Sequence, residues 1–267
     1  MNMSRKTGAV ALAIMMLGAG AALGQVQGTI ITAATEFKGA LKWKVSAKAY
    51  EVNDGTKTIE VPQVQVQEIK VPKPRALTDA EKQMAEGNYA AAIPALKKIS
   101  ADYLMLTWDR PATRLLAVAL LATGDHEEGI RVCETVIKVD PPAGYLGELA
   151  PTYWQALLKS GGRNISKAEG LIAQAIKTGD RTASAYALNT RGNLILTAGD
   201  TPENAKKALK DGFLRVITLY SNERGPRPEA LYMAAKCFEK IGQPPRADAF
   251  RTELKRDFPG TEWASKP

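Results

Sequence analysis

Histidine and cysteine are nearly missing from this chain of 267 residues. It holds one His and two Cys, and aromatics make up only 6%. The single imidazole, His126, stands among Asp125, Glu127 and Glu128, where acids complement the positive end of a helix start. A catalytic His needs both an orienting partner and a nucleophile, and no nucleophile elbow accompanies this one. No Cys/His spacing suits zinc, and no glycine-rich phosphate loop follows a strand. These absences point to a non-catalytic chain with no metal and no cofactor. A basic stripe studded with aromatics is also lacking, because Lys and Arg are dispersed among acids, which speaks against nucleic acid.

Long apolar runs are scarce as well. The one candidate, Ala9–Leu23, spans 15 residues, short of the roughly 20 that a bilayer-crossing helix needs. With Arg5 and Lys6 before it and Ala22-Leu23-Gly24 after it, residues 1–24 read as a secretory signal cleaved before Gln25; an uncleaved anchor is the alternative. The expected location is the periplasm or cell surface, with no integral membrane span once the signal is removed. The formal charge is +8, and subtracting Arg5 and Lys6, which have no acid beside them in residues 1–24, leaves +6. That surplus admits a second function class, binding to an anionic envelope polymer or membrane surface.

Residues 25–36 read as a polar linker. A period of two then sets in. Phe37, Leu41, Trp43 and Val45 alternate with Lys38, Lys42 and Lys44, the mark of a strand with one buried face. Ala49–Val52 and Thr58–Val61 flank Asn53-Asp54-Gly55, a hairpin turn signal, and Pro62 marks an end or an edge. Val64, Val66, Ile69 and Val71 suggest a fourth strand. Residues 37–72 are thus expected to form a small antiparallel sheet that must dock on something to be stable. Pro72 and Pro74 then forbid a helix before about Leu77.

From residue 77 to 259 the pattern is helical and repeats. Gly87, Gly124, Gly161, Gly199 and Gly242 are spaced by 37, 37, 38 and 43 residues. Each follows an apolar-periodic stretch and precedes a small residue: Ala92, Gly129, Ala168, Ala205 or Ala247. A glycine can end one helix in a left-handed conformation, and a small residue lets the next helix cross closely. Pro141 and Pro259 each stop a second helix, and Pro94 is expected to kink its helix or delay its start.

On Gly87-Asn88-Tyr89 with Ala92-Ile93, Gly124-Asp125 with Gly129-Ile130 and Asp140-Pro141, Gly199-Asp200 with Ala205, and Gly242 with Ala247 and Phe258-Pro259, the chain resembles the tetratricopeptide repeat family. Its periods exceed that family's usual length of about 34. The ending Asp257–Ala264 is similar to repeat junctions of exported bacterial members. The resemblance implies a mainly α fold: an α-solenoid of about five helical hairpins after the small β segment, with residues 260–267 as a tail. In such a stack distant repeats do not touch, so Cys133 and Cys237 are expected as two buried free thiols.

The resemblance also implies function: a non-catalytic exported scaffold or adaptor that binds partner proteins or peptides on the concave face, which the first helices of successive repeats line. Counting back from the turn glycines puts Arg114, Gln155 and Lys159 there, then Tyr186, Asn189 and Asn193, then Tyr232, Lys236 and Lys240. Asn189 and Asn193, four apart on one face, are expected to hold a ligand backbone with their amides. Replacing both by Ala should then weaken capture without lowering the melting temperature. Among the tryptophans, Trp43 should pack the sheet, Trp108 should seal a junction, Trp154 should be core and Trp263 should cap the last hairpin.

Overall fold

The computed structural model describes residues 25–162 and 164–266. The expected signal at residues 1–24 lies outside them. Five strands come first: β1 (Val26–Thr32), β2 (Glu36–Lys44), β3 (Ala49–Asn53), β4 (Thr58–Pro62) and β5 (Val66–Lys70). They form one antiparallel sheet in the order β4-β3-β2-β1-β5. Residues 25–36 are therefore not a linker, since β1 lies between β2 and β5. Val26 and Ile30 point into the core, and Gly28 occupies the position between them. A Cβ on Gly28 would fall within 2.8 Å of Leu41, the Lys70 carbonyl and Val71. That gap in the apolar alternation hides the strand from a periodicity count.

The buried face of β2 carries Leu41 and Trp43, paired with Val52 and Tyr50. The Trp43 and Tyr50 rings sit 4.8 Å apart, a contact worth about 1 kcal/mol beyond its buried area. Val45 and Val64, expected in strands, are exposed; Val64 falls in a single 3-10 turn, Gln63–Gln65. The β3–β4 turn is tied by the Asp54 carboxylate, which accepts from the amides of Thr56 and Lys57. A bond from the Thr56 hydroxyl, with those two, lowers its pKa to about 2.

The sheet docks on the segment between the second and third helices. Met105 and Leu106 complete its core cluster. The Trp108 indole donates to the Val71 carbonyl at 2.8 Å and the Thr107 hydroxyl donates to that of Ile69 at 3.2 Å. Met105 and Thr107 both hold left-handed backbone angles, and the buried Asp109 carboxylate fixes the turn by accepting from the Met105 amide at 2.8 Å.

The helices are α1 (Arg75–Ala85), α2 (Tyr89–Asp102), α3 (Asp109–Ala122), α4 (His126–Val139), α5 (Leu149–Ser160), α6 (Asn164–Lys177), α7 (Arg181–Thr197), α8 (Pro202–Ala208), α9 (Leu214–Leu219), α10 (Arg227–Lys240), α11 (Pro244–Asp257) and α12 (Glu262–Ser265). A π-helical turn, Leu209–Phe213, joins α8 to α9. Helix α1 starts two residues before the expected limit, because Pro74 takes the capping position just outside it. Helix α2 begins at Tyr89 despite Pro94, which is exposed in its second turn and removes one intrahelical bond only.

All five repeat glycines adopt positive φ, between 69° and 147°. The small residues that follow them, Ala92, Gly129, Ala168, Ala205 and Ala247, are all buried. Asp125, Asp180 and Thr201 cap the starts of α4, α7 and α8 by accepting from backbone amides three residues on. Each helix packs on the next, α8 and α9 through the π turn between them, and α3 also touches α5, α5 touches α7, and α7 touches α10. The cores of the hairpins hold Trp154, Tyr153, Leu157 and Ile172 at the centre and Phe213, Val216 and Phe238 further on.

The fourth hairpin departs from the others. Gly212 of the π turn lies against Gly192 of α7, where a Cβ on Gly212 would come within 2.8 Å of the Gly192 Cα. Of the expected tail 260–267, the described residues 260–266 are not free either. α12 folds back on α10, and Trp263 joins Leu231, Leu254 and Phe258 in a small cluster.

Candidate functional site

The first two turns of α5 and α7, the first turn of α10 and the second turn of α3 open on one groove of about 660 Å³, closed at one end by α12. Of the nine expected contact residues, Arg114 of α3, Gln155 of α5 and Tyr186 of α7 line it. Glu148, Asp180, Glu229, Glu262 and Trp263 line it too, and these were not among the expected contact residues. The missing clue was the N-terminal turn. Counting back from a glycine gave residues from the second turn of each first helix onward, whereas the missed acids sit in the first turn or just before it, at Glu148, Asp180 and Glu229, or on α12.

The other six expected residues are placed differently. Asn189 and Asn193 do not offer free amides. Asn189 is buried, and its Nδ2 donates to the Pro226 carbonyl at 2.7 Å and to Glu229 Oε2 at 3.2 Å. Asn193 Nδ2 donates to Glu229 Oε1 at 2.8 Å. The face they share is covered by the start of α10, so they lock the fourth hairpin to the fifth. The signal in the sequence was Glu229, an acid one repeat downstream that needs donors when buried. Tyr232 packs on Trp263 with ring centroids 5.5 Å apart. Lys236 lies over Tyr232, and Lys240 pairs with Asp200 at 2.5 Å, both beside a separate depression that includes Met233. Lys159 is exposed near the end of α5 and does not line the groove.

Glu229 dominates the groove's electrostatics. It sits in the first turn of α10, where the helix dipole favours a negative charge. Burial nonetheless raises its pKa above the ordinary value, against the Asn193 and Asn189 bonds that favour the charged form. Tyr186, half-buried beside it, is raised for the same reason, with the Glu229 charge adding to the shift and Arg114 opposing it. Arg114 itself pairs with Glu148 at 3.3 Å. Gly225 approaches so closely that a Cβ there would lie 2.5 Å from the Tyr186 hydroxyl.

This arrangement provides charge and aromatic walls, with no Cys or His in the lining to act as nucleophile or base partner. His126 lies at the start of α4, outside it, and both thiols are free and buried. Among the described residues no group of three or more His, Cys, Asp or Glu side chains could hold a metal ion. No helix of the described residues is long and apolar enough to cross a membrane.

Residues 229–261, which run from the first turn of α10 through α11, match the tetratricopeptide repeat family. The chain thus carries a tetratricopeptide repeat, and the fifth hairpin is the unit that fits it. No curated protein matches the chain.

Proposed function

We propose that this chain is an exported, non-catalytic scaffold whose five hairpins stack as a solenoid and whose groove holds an extended segment of a partner protein. The observation that carries the reading is the shared groove itself: four successive first helices, α3, α5, α7 and α10, present the same end to one cavity. The chain of contacts from α3 to α5, α5 to α7 and α7 to α10 supports the stacked arrangement. Each hairpin buries its inner face only against its neighbours, which is the physical rule for repeat stacks. The matched family repeat supports protein binding in place of chemistry. The signal-like residues 1–24 and the absence of a Cys after them support release into the periplasm or onto the cell surface.

The anionic-polymer reading rests on the net charge alone. The groove's four carboxylates against one guanidinium disfavour it there.

A photo-crosslinker placed at Gln155 in the full-length protein, expressed in its own cells, tests the proposal. Discrete protein adducts at position 155, absent when the crosslinker replaces Arg131 on α4, are the expected result. Adducts from position 131 alone, or none from either, would overturn it. Sequencing the amino terminus of the recovered protein tests export, with Gln25 expected first.

A further inference from the structure

The groove assigned above to partner capture has a charge that the chain as a whole does not share. Its lining carries four carboxylates, Glu148, Asp180, Glu229 and Glu262, against the single guanidinium of Arg114. Arg114 is engaged by Glu148, and Lys266 reaches Glu262 at 3.2 Å from the side of α12. Asp180 and Glu229 pair with no cation among the described residues. Asp180 Oδ1 accepts the Ala183 amide at 2.7 Å, and Glu229 accepts only the neutral amides of Asn189 and Asn193. Glu229 is a carboxylate more than nine-tenths buried that faces the open groove with no ion-pair partner of its own; the Lys266 charge acts on it, but that ammonium is bonded to Glu262. Buried charges are ordinarily paired at close range, and a cation entering the groove would supply that contact.

A second observation, independent of the acids, shows what the adjoining wall accepts. Lys266 lays its ammonium 3.5 Å from the centroid of the Trp263 ring and 6.0 Å from that of Tyr232. The chain thus seats one of its own cations on the aromatic end of the groove, the geometry of a cation–π contact. Tyr186, on the α7 side, offers another aromatic ring to the same space.

We infer that the groove selects a cationic partner: an extended peptide segment whose Lys or Arg side chain enters toward Asp180 and Glu229, with its apolar stem between Tyr186 and Trp263. The inference rests on the groove reading above and adds to it the chemistry of the occupant. A long basic side chain suits such a site because its methylene stem covers aromatic surface while its head stays charged. An acidic or phosphorylated segment would instead meet a net negative wall, four carboxylates against Arg114 and Lys266.

A random peptide library of about a dozen residues, selected on the purified protein, provides the test. Peptides whose binding is lost on Gln155→Trp are the groove-dependent set. They are expected to carry Lys and Arg above the input frequency and to bind about tenfold more weakly to the Asp180→Asn, Glu229→Gln double variant, the scale of one lost close charge pair. Asn caps a helix as well as Asp does, so Asp180→Asn alone should leave the melting temperature unchanged and still weaken binding several-fold, which separates lost charge from lost fold. Groove-dependent peptides that are neutral or acidic would overturn the inference and leave the groove reading standing. So would basic peptides that bind the double variant undiminished. A selection with no groove-dependent peptide would overturn both.

Discussion

Replacing Asn189 by Ala breaks the joint between the fourth and fifth hairpins, and its size follows from three contributions. The bond from Nδ2 to the Pro226 carbonyl, 2.7 Å long, joins neutral groups and is worth about 1 kcal/mol net. The bond to Glu229 Oε2, at 3.2 Å, engages a buried carboxylate and is worth about 1.5–3 kcal/mol, because its loss leaves charge undersolvated. Against these, the Asn189 Oδ1 is itself buried without a partner, and deleting it returns roughly 1 kcal/mol. The expected loss is about 1.5–3 kcal/mol, several times the effect of a surface substitution. Urea denaturation should show a midpoint about 1 M lower at unchanged slope. Repeating the substitution in a Glu229→Gln background replaces the charged bond by a neutral one worth about 1 kcal/mol, so the penalty should shrink to about 1 kcal/mol. A midpoint shift no larger than that of Gln155→Ala, an exposed groove residue, would refute the joint and restore Asn189 to the role of a ligand-holding amide.

Glu229 also predicts a pH dependence. Burial raises its folded pKa above the reference 4.5, so in that interval the folded state binds more protons than the unfolded chain and stability falls as pH rises; Glu229→Gln should flatten this slope in urea midpoints taken between about pH 4 and 8. Gly212→Ala should cost more than about 2 kcal/mol by overpacking, since the new Cβ meets backbone of Gly192 and Leu188 within 2.9 Å. Gly170→Ala, with nothing within 4 Å of the added carbon, should instead stabilise the chain by up to about 1 kcal/mol, and calorimetry ranking the pair the other way would contradict the crossing described here. Burial pushes the Cys133 thiol up to about 12 and that of Cys237 to about 11, so both should resist iodoacetamide at pH 8 in the native protein and react in urea; prompt native alkylation, or fewer than two thiols after unfolding, would count against two buried free cysteines.

What could be read in the sequence was whatever depends on local backbone rules. The repeat glycines announced left-handed turns, and all five are left-handed. The alternation of Leu41 and Trp43 with lysines announced a half-buried strand, and both are buried. Trp108 and Trp263 occupy the sealing and capping places their positions suggested. What could not be read depends on which element covers a face. Asn189 and Asn193 share a helix face in the sequence as in the fold, but nothing local says that α10 lies on it. β1 escaped notice because Gly28, needed where Leu41 and Val71 crowd in, interrupts its apolar rhythm. The groove residues were reached only in part, because they converge from first turns whose starts are set by tertiary packing.

The widest departure from the repeat period and the most polar part of the groove coincide, and the geometry explains why. The interval of 43 residues from Gly199 to Gly242 contains the π turn and the loop between α9 and α10. That loop does specific structural work. Glu223 accepts from the Thr182 hydroxyl at 2.7 Å and pairs with Arg181 at 3.4 Å, Gly225 abuts the Tyr186 hydroxyl, and the Pro226 carbonyl takes the Asn189 amide. Each contact runs from the loop to α7, and together they set the first turn of α10, with Glu229 in it, against the groove floor. A repeat of regular length would lack the residues for these ties. Local irregularity that conflicts with a repeating pattern tends to mark function, and here the added residues lie where the deeply buried Glu229 carboxylate meets the open groove.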